Sequence, residues 1–138
     1  MAEFSDEALS ELFWGVARQL RHSSRETLAP FDILPSHSRA IVVIQRHGAL
    51  RLSLLSEHLR IAPRSTTEVV DALEERGLVE RQPDPDDRRA TLVSLTAEGE
   101  RVANAIRAGR DAEAERFFGT LSATDRAELA RILRTLRG

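Results

Sequence analysis

The stretch Arg81–Thr96, RQPDPDDRRATLVSLT, limits the fold more than any other segment, because within it the apolar period changes from that of a helix to that of a strand. Leu92, Val93, Ser94 and Leu95 alternate, as a pleated strand requires, and Leu78–Gln82 (LVERQ) reads as a strand before them. Pro83, Asp84, Pro85, Asp86 and Asp87 are expected to form the loop between the two. On both sides the spacing returns to threes and fours, so the chain predicts one β-hairpin set into an otherwise helical protein.

Before the hairpin, Leu9, Leu12, Phe13, Val16 and Leu20 trace an amphipathic helix over Asp6–Leu28, ended by Ala29-Pro30. Ser36 is the expected cap of a second helix that carries the apolar run Ala40–Ile44 and stops at Gly48. Ser53 is the expected cap of a short helix bearing Leu54, Leu55 and Leu59. A break follows at Ile61-Ala62, and Pro63 suits the first turn of the next helix. In that helix Thr66, Val69, Val70 and Leu73 form the apolar stripe, Arg64, Ser65, Thr67, Glu68 and Asp71 lie elsewhere on the cylinder, and Gly77 is the stop. After the hairpin, Thr96 caps a long helix to about Phe118, weakened in its middle by Gly109. Ser122 and Asp125 open a last helix with Leu129, Ile132, Leu133 and Leu136 on one face.

Several functions are excluded by what the chain lacks. It has no Cys, which removes disulfides, thiolate metal sites and thiol redox chemistry. The four His, at 22, 37, 47 and 58, have no ligand spacing, and no glycine-rich phosphate loop is present, so neither metal nor cofactor is expected. Ser36, His37 and Ser38 are neighbours on a helix and do not face one another, so no enzyme is expected. No apolar run approaches a membrane span and the start MAEFSDEALSEL resembles no leader, giving the expectation of one cytoplasmic domain over 1–138.

Helix, turn, helix and hairpin in succession make a winged helix-turn-helix, whose second helix can enter a major groove while the hairpin tip reaches the neighbouring minor groove. Arg88 and Arg89 sit where such a tip needs a guanidinium. Asp87, two residues before Arg89 on an extended segment, points the same way and can orient it. Arg39, Arg46, Arg51 and Arg60 have few acids nearby and suit phosphate contacts. Against this, Arg60–Arg89 holds six Arg and eight Asp or Glu, and the net charge is −2. A protein-interaction module on the same scaffold, without DNA binding, is therefore the alternative. The apolar stripes of the first and last helices exceed what one small winged domain covers, and burial across a two-fold axis accounts for both.

The run LSLLSEHLRIAPRSTTEVVDALEERGLVERQPDPDDRRATLVSLTAEG resembles the winged helix-turn-helix of the MarR family of bacterial transcriptional regulators. The Asp87-x-Arg89 pattern followed by Leu92–Gly99 is its most specific part. The resemblance implies a mainly α fold with a small β-hairpin. It places the DNA-binding module over 36–96 between dimerisation helices 5–29 and 97–137. It further implies a homodimer on a pseudo-palindromic operator in double-stranded DNA, acting as a repressor that a small-molecule effector releases. Arg64, Ser65 and Thr67 are carried over as groove residues. Glu68 and Ala72 stand where many relatives have Arg; Glu68 either accepts from cytosine or pairs with Arg64. An effector pocket would lie between the dimer helices and the winged module, with Trp14, Arg18 and His37 as its candidates.

Overall fold

The computed structural model describes residues 5–138; the expected single domain 1–138 also takes in residues 1–4, which lie outside the described residues. Its elements are α1 (Asp6–Leu28), a 3-10 turn (Ala29–Phe31), α2 (Pro35–His47), β1 (Ala49–Arg51), α3 (Leu52–Leu59), α4 (Pro63–Glu75), β2 (Val79–Asp84), β3 (Asp87–Leu95), α5 (Ala97–Phe118) and α6 (Ala123–Arg137). The architecture is mainly α with a small antiparallel sheet, as the period change predicted.

Caps explain most of the helix boundaries. Ser5, Thr96 and Ser122 each accept a hydrogen bond from the third backbone amide after them, satisfying a donor that the first turn leaves open. Ser36 and Ser53 are not caps. Pro35, with its φ already helical, takes the first position of α2 and makes Leu34 the cap residue. The chain leaves β1 directly into α3, so Arg51 occupies that cap position and Ser53 falls inside the helix.

The expected two-stranded hairpin supplies two strands of a three-stranded sheet in the order β1-β3-β2. Leu50 of β1 faces Val93, and on the other side Arg81 of β2 faces the same residue. Three residues are too few to show an alternation, which is why β1 escapes a reading by period. The expected loop of Pro83–Asp87 is also shorter: β2 runs to Asp84, β3 resumes at Asp87, and Pro85-Asp86 alone turn the chain.

Ile41 and Ile44 of α2, Leu55 of α3, Val70 and Leu73 of α4, Val93 of β3 and Ile106 of α5 are fully buried in one core. Each such side chain stabilises by roughly 1.5–3 kcal/mol relative to exposure. Within it Thr66 carries the only hydroxyl on the α4 stripe. Its Oγ1 lies 3.1 Å from Ser56 Oγ, and Ser56 donates to Ile61 O at 2.8 Å, tying α3 to α4 through the turn between them.

Two glycines mark close approaches. A Cβ on Gly99 would sit 1.9 Å from the carbonyl oxygen of Leu78, so the first turn of α5 can rest on the turn between α4 and β2 only without a side chain there. Thr96 strengthens that junction: its amide donates to Leu78 O and its hydroxyl to Gly77 O. At Gly109 a Cβ would lie 2.7 Å from Thr27 Cγ2. The glycine that weakens α5 as an isolated helix is thus the point where α1 crosses it.

In the single chain α6 has no buried residue, and Leu9, Leu12, Phe13, Trp14 and Val16 of α1 are exposed, as are Ile132, Leu133 and Leu136 of α6. Among the described residues, no helix is long and apolar enough to cross a membrane.

Candidate nucleic-acid interface

Burial of Thr66, Val69, Val70 and Leu73 rotates α4 so that Arg64, Ser65, Thr67 and Glu68 are all exposed. Thr67 donates back to Pro63 O at 3.1 Å. Among the described residues, the side chains of Arg64, Ser65 and Glu68 make no hydrogen bond or ion pair. The pairing of Glu68 with Arg64 is therefore absent, and its carboxylate is free. Ala62 provides no side-chain cap, so the first amides of α4 face outward without a partner of their own. Beside them, a cleft of about 550 Å³ between α3 and α4 is lined by Ser53, Glu57, Arg60, Pro63 and Thr67.

Asp84 governs the geometry of the wing. It is buried, and Arg51 of β1 reaches it with Nε 2.7 Å from Oδ2. Its other oxygen accepts the amide of Asp86 at 2.9 Å, closing the tip as an Asx turn. That amide, with Arg51 adding to it, holds the carboxyl below the usual Asp range against the opposing effect of burial. Arg51 thus braces the wing while its side chain stays partly exposed; Arg39, Arg46 and Arg60 are exposed as well.

Next to Asp84 the ladder slips. Pro83 pairs with Thr91 but Asp84 pairs with Asp87, so Arg88, Arg89 and Ala90 have no partner on β2. Pro83 lacks the amide a regular ladder would use, and the bulge accommodates that loss. Both arginines are left exposed. Asp87 meets Arg89 mainly at the backbone: Oδ1 accepts the Arg89 amide at 3.0 Å, while the guanidinium Nε is 3.8 Å away on a side chain that is 95% exposed.

The acid excess in this module is partly internal. Arg81 of β2 binds Asp71 at 2.5 Å and Glu74 at 2.9 Å on α4, locking wing to helix. Arg76, at the end of α4, donates to the carbonyls of Phe31 and Asp32, joining the helix to the α1–α2 connection. Asp71, Glu74 and Asp84 are therefore occupied with holding the module together. These links span up to 45 residues of sequence and leave no local signal.

Of the three pocket candidates, Trp14 and Arg18 lie on α1 and His37 on α2. Trp14 is exposed, with its ring edge-on to Phe13 at 6.0 Å, and the Arg18 guanidinium lies beside Gly15. His37 is half-buried, its pKa lowered by burial and then by the nearby charge of Arg76. None of the three lines either the cleft above or a second one, of about 390 Å³, between α1 and α5.

Residues 35–91 match the model of the MarR family. The HTH-type transcriptional repressor MdtR of Bacillus subtilis is 28% identical over 107 residues, 78% of this chain and 69% of the repressor. The HTH-type transcriptional regulator MT0903.1 of Mycobacterium tuberculosis is 31% identical over 111 residues, covering 80% of this chain and 75% of the regulator. Among solved structures, a mutant of MarR from E. coli complexed with operator DNA superposes with a TM-score of 0.80. It is 25% identical, and the match covers 98% of this chain and 99% of that one.

Proposed function

The chain belongs to the MarR family of transcriptional regulators, and from that premise we propose that it is a homodimeric repressor of the cytoplasm that binds a pseudo-palindromic operator and leaves it when a small-molecule effector binds. The observation that carries the DNA reading is the pairing pattern: three of the eight acids within Arg60–Arg89, Asp71, Glu74 and Asp84, are held by Arg51 and Arg81, while Arg64 on α4 and Arg88 and Arg89 on the wing are left exposed. The operator complex of the MarR structure and the repressor name of MdtR support the same reading.

In this reading α4 lies in a major groove about 12 Å wide. Arg64 reaches a guanine edge, Ser65 and Thr67 bond phosphate or base, and the free Glu68 carboxylate accepts from a cytosine amine. Arg88 and Arg89 enter the adjacent minor groove, whose narrow, negative floor suits a planar guanidinium. Arg39, Arg46 and Arg60 contact phosphate. Residues 36–96 form the DNA-binding module and helices 5–29 and 97–137 the dimer. Burying the exposed faces of α1 and α6 against a second copy sets two α4 helices roughly 34–36 Å apart, one turn of duplex.

Selection of duplexes from a random pool tests this. The expected product is an inverted repeat with half-sites one turn apart. Recovery of no repeat, with binding unchanged in Arg89→Ala, would overturn the mechanism. The free carboxylate of Glu68 also suits a protein-interaction module, and anisotropy at low salt separates the two, since even non-specific DNA affinity is visible there.

A further inference from the structure

Two acidic side chains, Asp84 and Glu113, are buried among the described residues. Asp84 has the guanidinium of Arg51. Glu113, on the α5 face that meets α1, has no cation within ion-pair distance among the described residues. Its Oε1 accepts from Ser24 Oγ at 3.2 Å and its Oε2 from Thr27 Oγ1 at 3.0 Å. Thr27 has one hydroxyl hydrogen, and Ser23 O also lies 3.0 Å from the same Oγ1. The carboxylate therefore receives one hydroxyl and a share of a second, where it has room for about four donors. A buried negative charge with so little compensation costs stability unless a cation completes it.

The surroundings say where that cation would enter. The two helices touch at Gly109 and Thr27. One turn further along α5, Glu113 borders the cleft of about 390 Å³, together with Ser23, Glu26, Thr27, Arg116 and Phe117. That volume falls in the range of small-molecule sites, about 300–1,000 Å³. Phe117 supplies an apolar wall, and Glu26, paired at the surface with His22, adds a second carboxylate at the rim. Arg116 lines the cleft without bonding Glu113, so among the described residues no cation sits on the buried carboxylate, whose two oxygens each accept from one hydroxyl.

We propose that the α1–α5 cleft binds a small organic cation, an ammonium or amidinium on an aromatic body, with Glu113 as its counter-ion and Phe117 against its ring. The cleft lies on α1 and α5, two of the proposed dimer helices, and its occupancy is measured directly, apart from DNA binding. If the effector reading holds, this is the chemistry the effector has.

Calorimetry on the full chain with benzamidinium and benzylammonium, and with neutral benzyl alcohol as control, tests it. The expected result is saturable binding of a cation, no comparable binding of the alcohol, and at least about tenfold weaker binding in Glu113→Gln. Phe117→Leu, which keeps the carboxylate, is expected to weaken the aromatic probes while circular dichroism stays unchanged, and it serves if Glu113→Gln fails to fold. Absence of binding by both cations, equal binding of the alcohol, or unchanged affinity in a folded Glu113→Gln would overturn the proposal. So would a Glu113→Gln variant that alters only dimer dissociation, because the partner's own side chains would then fill the site. Operator binding, measured separately, bears on the regulator reading and not on this one.

Discussion

Arg51, the last residue of β1, spans the central strand of the sheet to place its Nε 2.7 Å from Oδ2 of Asp84, the last residue of β2. The wing is therefore braced from the strand that precedes the helix-turn-helix, and its tip is fixed by the oxygen Arg51 leaves free. Arg51→Ala strands a buried carboxylate, so it is expected to lower Tm by several degrees and to speed amide exchange across Val79–Leu95. Unchanged exchange in that segment would argue against the brace.

Because the Asp84 carboxyl is held below its ordinary value, the folded state binds its proton less readily than the unfolded chain. Its stabilising contribution is complete above the unfolded pKa, about 3.9, and is lost as pH falls through the lower folded value. Denaturant titrations from neutral pH downward should show Asp84→Asn to be less stable at neutral pH and less sensitive to acid below about pH 4. Parallel curves would remove Asp84 from the acid response.

His37 acts in the same direction at a higher pH. Burial and Arg76 favour its neutral form, so folding loses this contribution as pH drops from about 6.5 towards the folded value. His37→Gln is expected to flatten the fall in stability that begins as pH drops below about 6.5. The same titrations check it, and a wild-type slope retained in the variant would assign the effect elsewhere.

Asp87 and Arg89 separate geometry from charge. Removing Asp87 removes a negative charge from the wing tip, and if that tip meets DNA as proposed, simple electrostatics would strengthen binding. Its carboxylate instead holds the Arg89 amide, so Asp87→Ala is expected to weaken operator binding. Arg89→Ala should weaken it with a salt slope shallower by about 1, and Arg64→Ala should cost about 1–3 kcal/mol with relaxed sequence preference. Tighter binding by Asp87→Ala would show that charge outweighs orientation.

The crossing of α1 and α5 is a steric prediction. Gly109→Ala puts a methyl 2.7 Å from Thr27 Cγ2 and is expected to cost about 1–3 kcal/mol, although alanine favours helices. Thr27→Ser deletes the opposing methyl, keeps the hydroxyl, and should restore most of that loss in the double variant. At Gly99 the obstacle is the Leu78 carbonyl, 1.9 Å away, so no side-chain change should rescue Gly99→Ala. Thermal melts of the four variants decide both.

What the amino-acid order determined by itself is whatever acts within a few residues. Pro63, Thr96 and Ser122 start helices, Gly77 stops one, and the stripe of Thr66, Val69, Val70 and Leu73 sets which face of α4 is exposed. Those signals sufficed for the winged helix-turn-helix, because capping and periodicity depend on near neighbours along the chain. The tertiary structure decided the rest: that Ala49–Arg51 is a strand, that Arg51, Arg76 and Arg81 bind partners on other elements, and that Glu113 lies buried against Ser24 and Thr27. Each of those outcomes joins groups on different elements, some of them more than 80 residues apart. Which groups meet is settled only when the packed core brings the elements into register, so no local pattern encodes it.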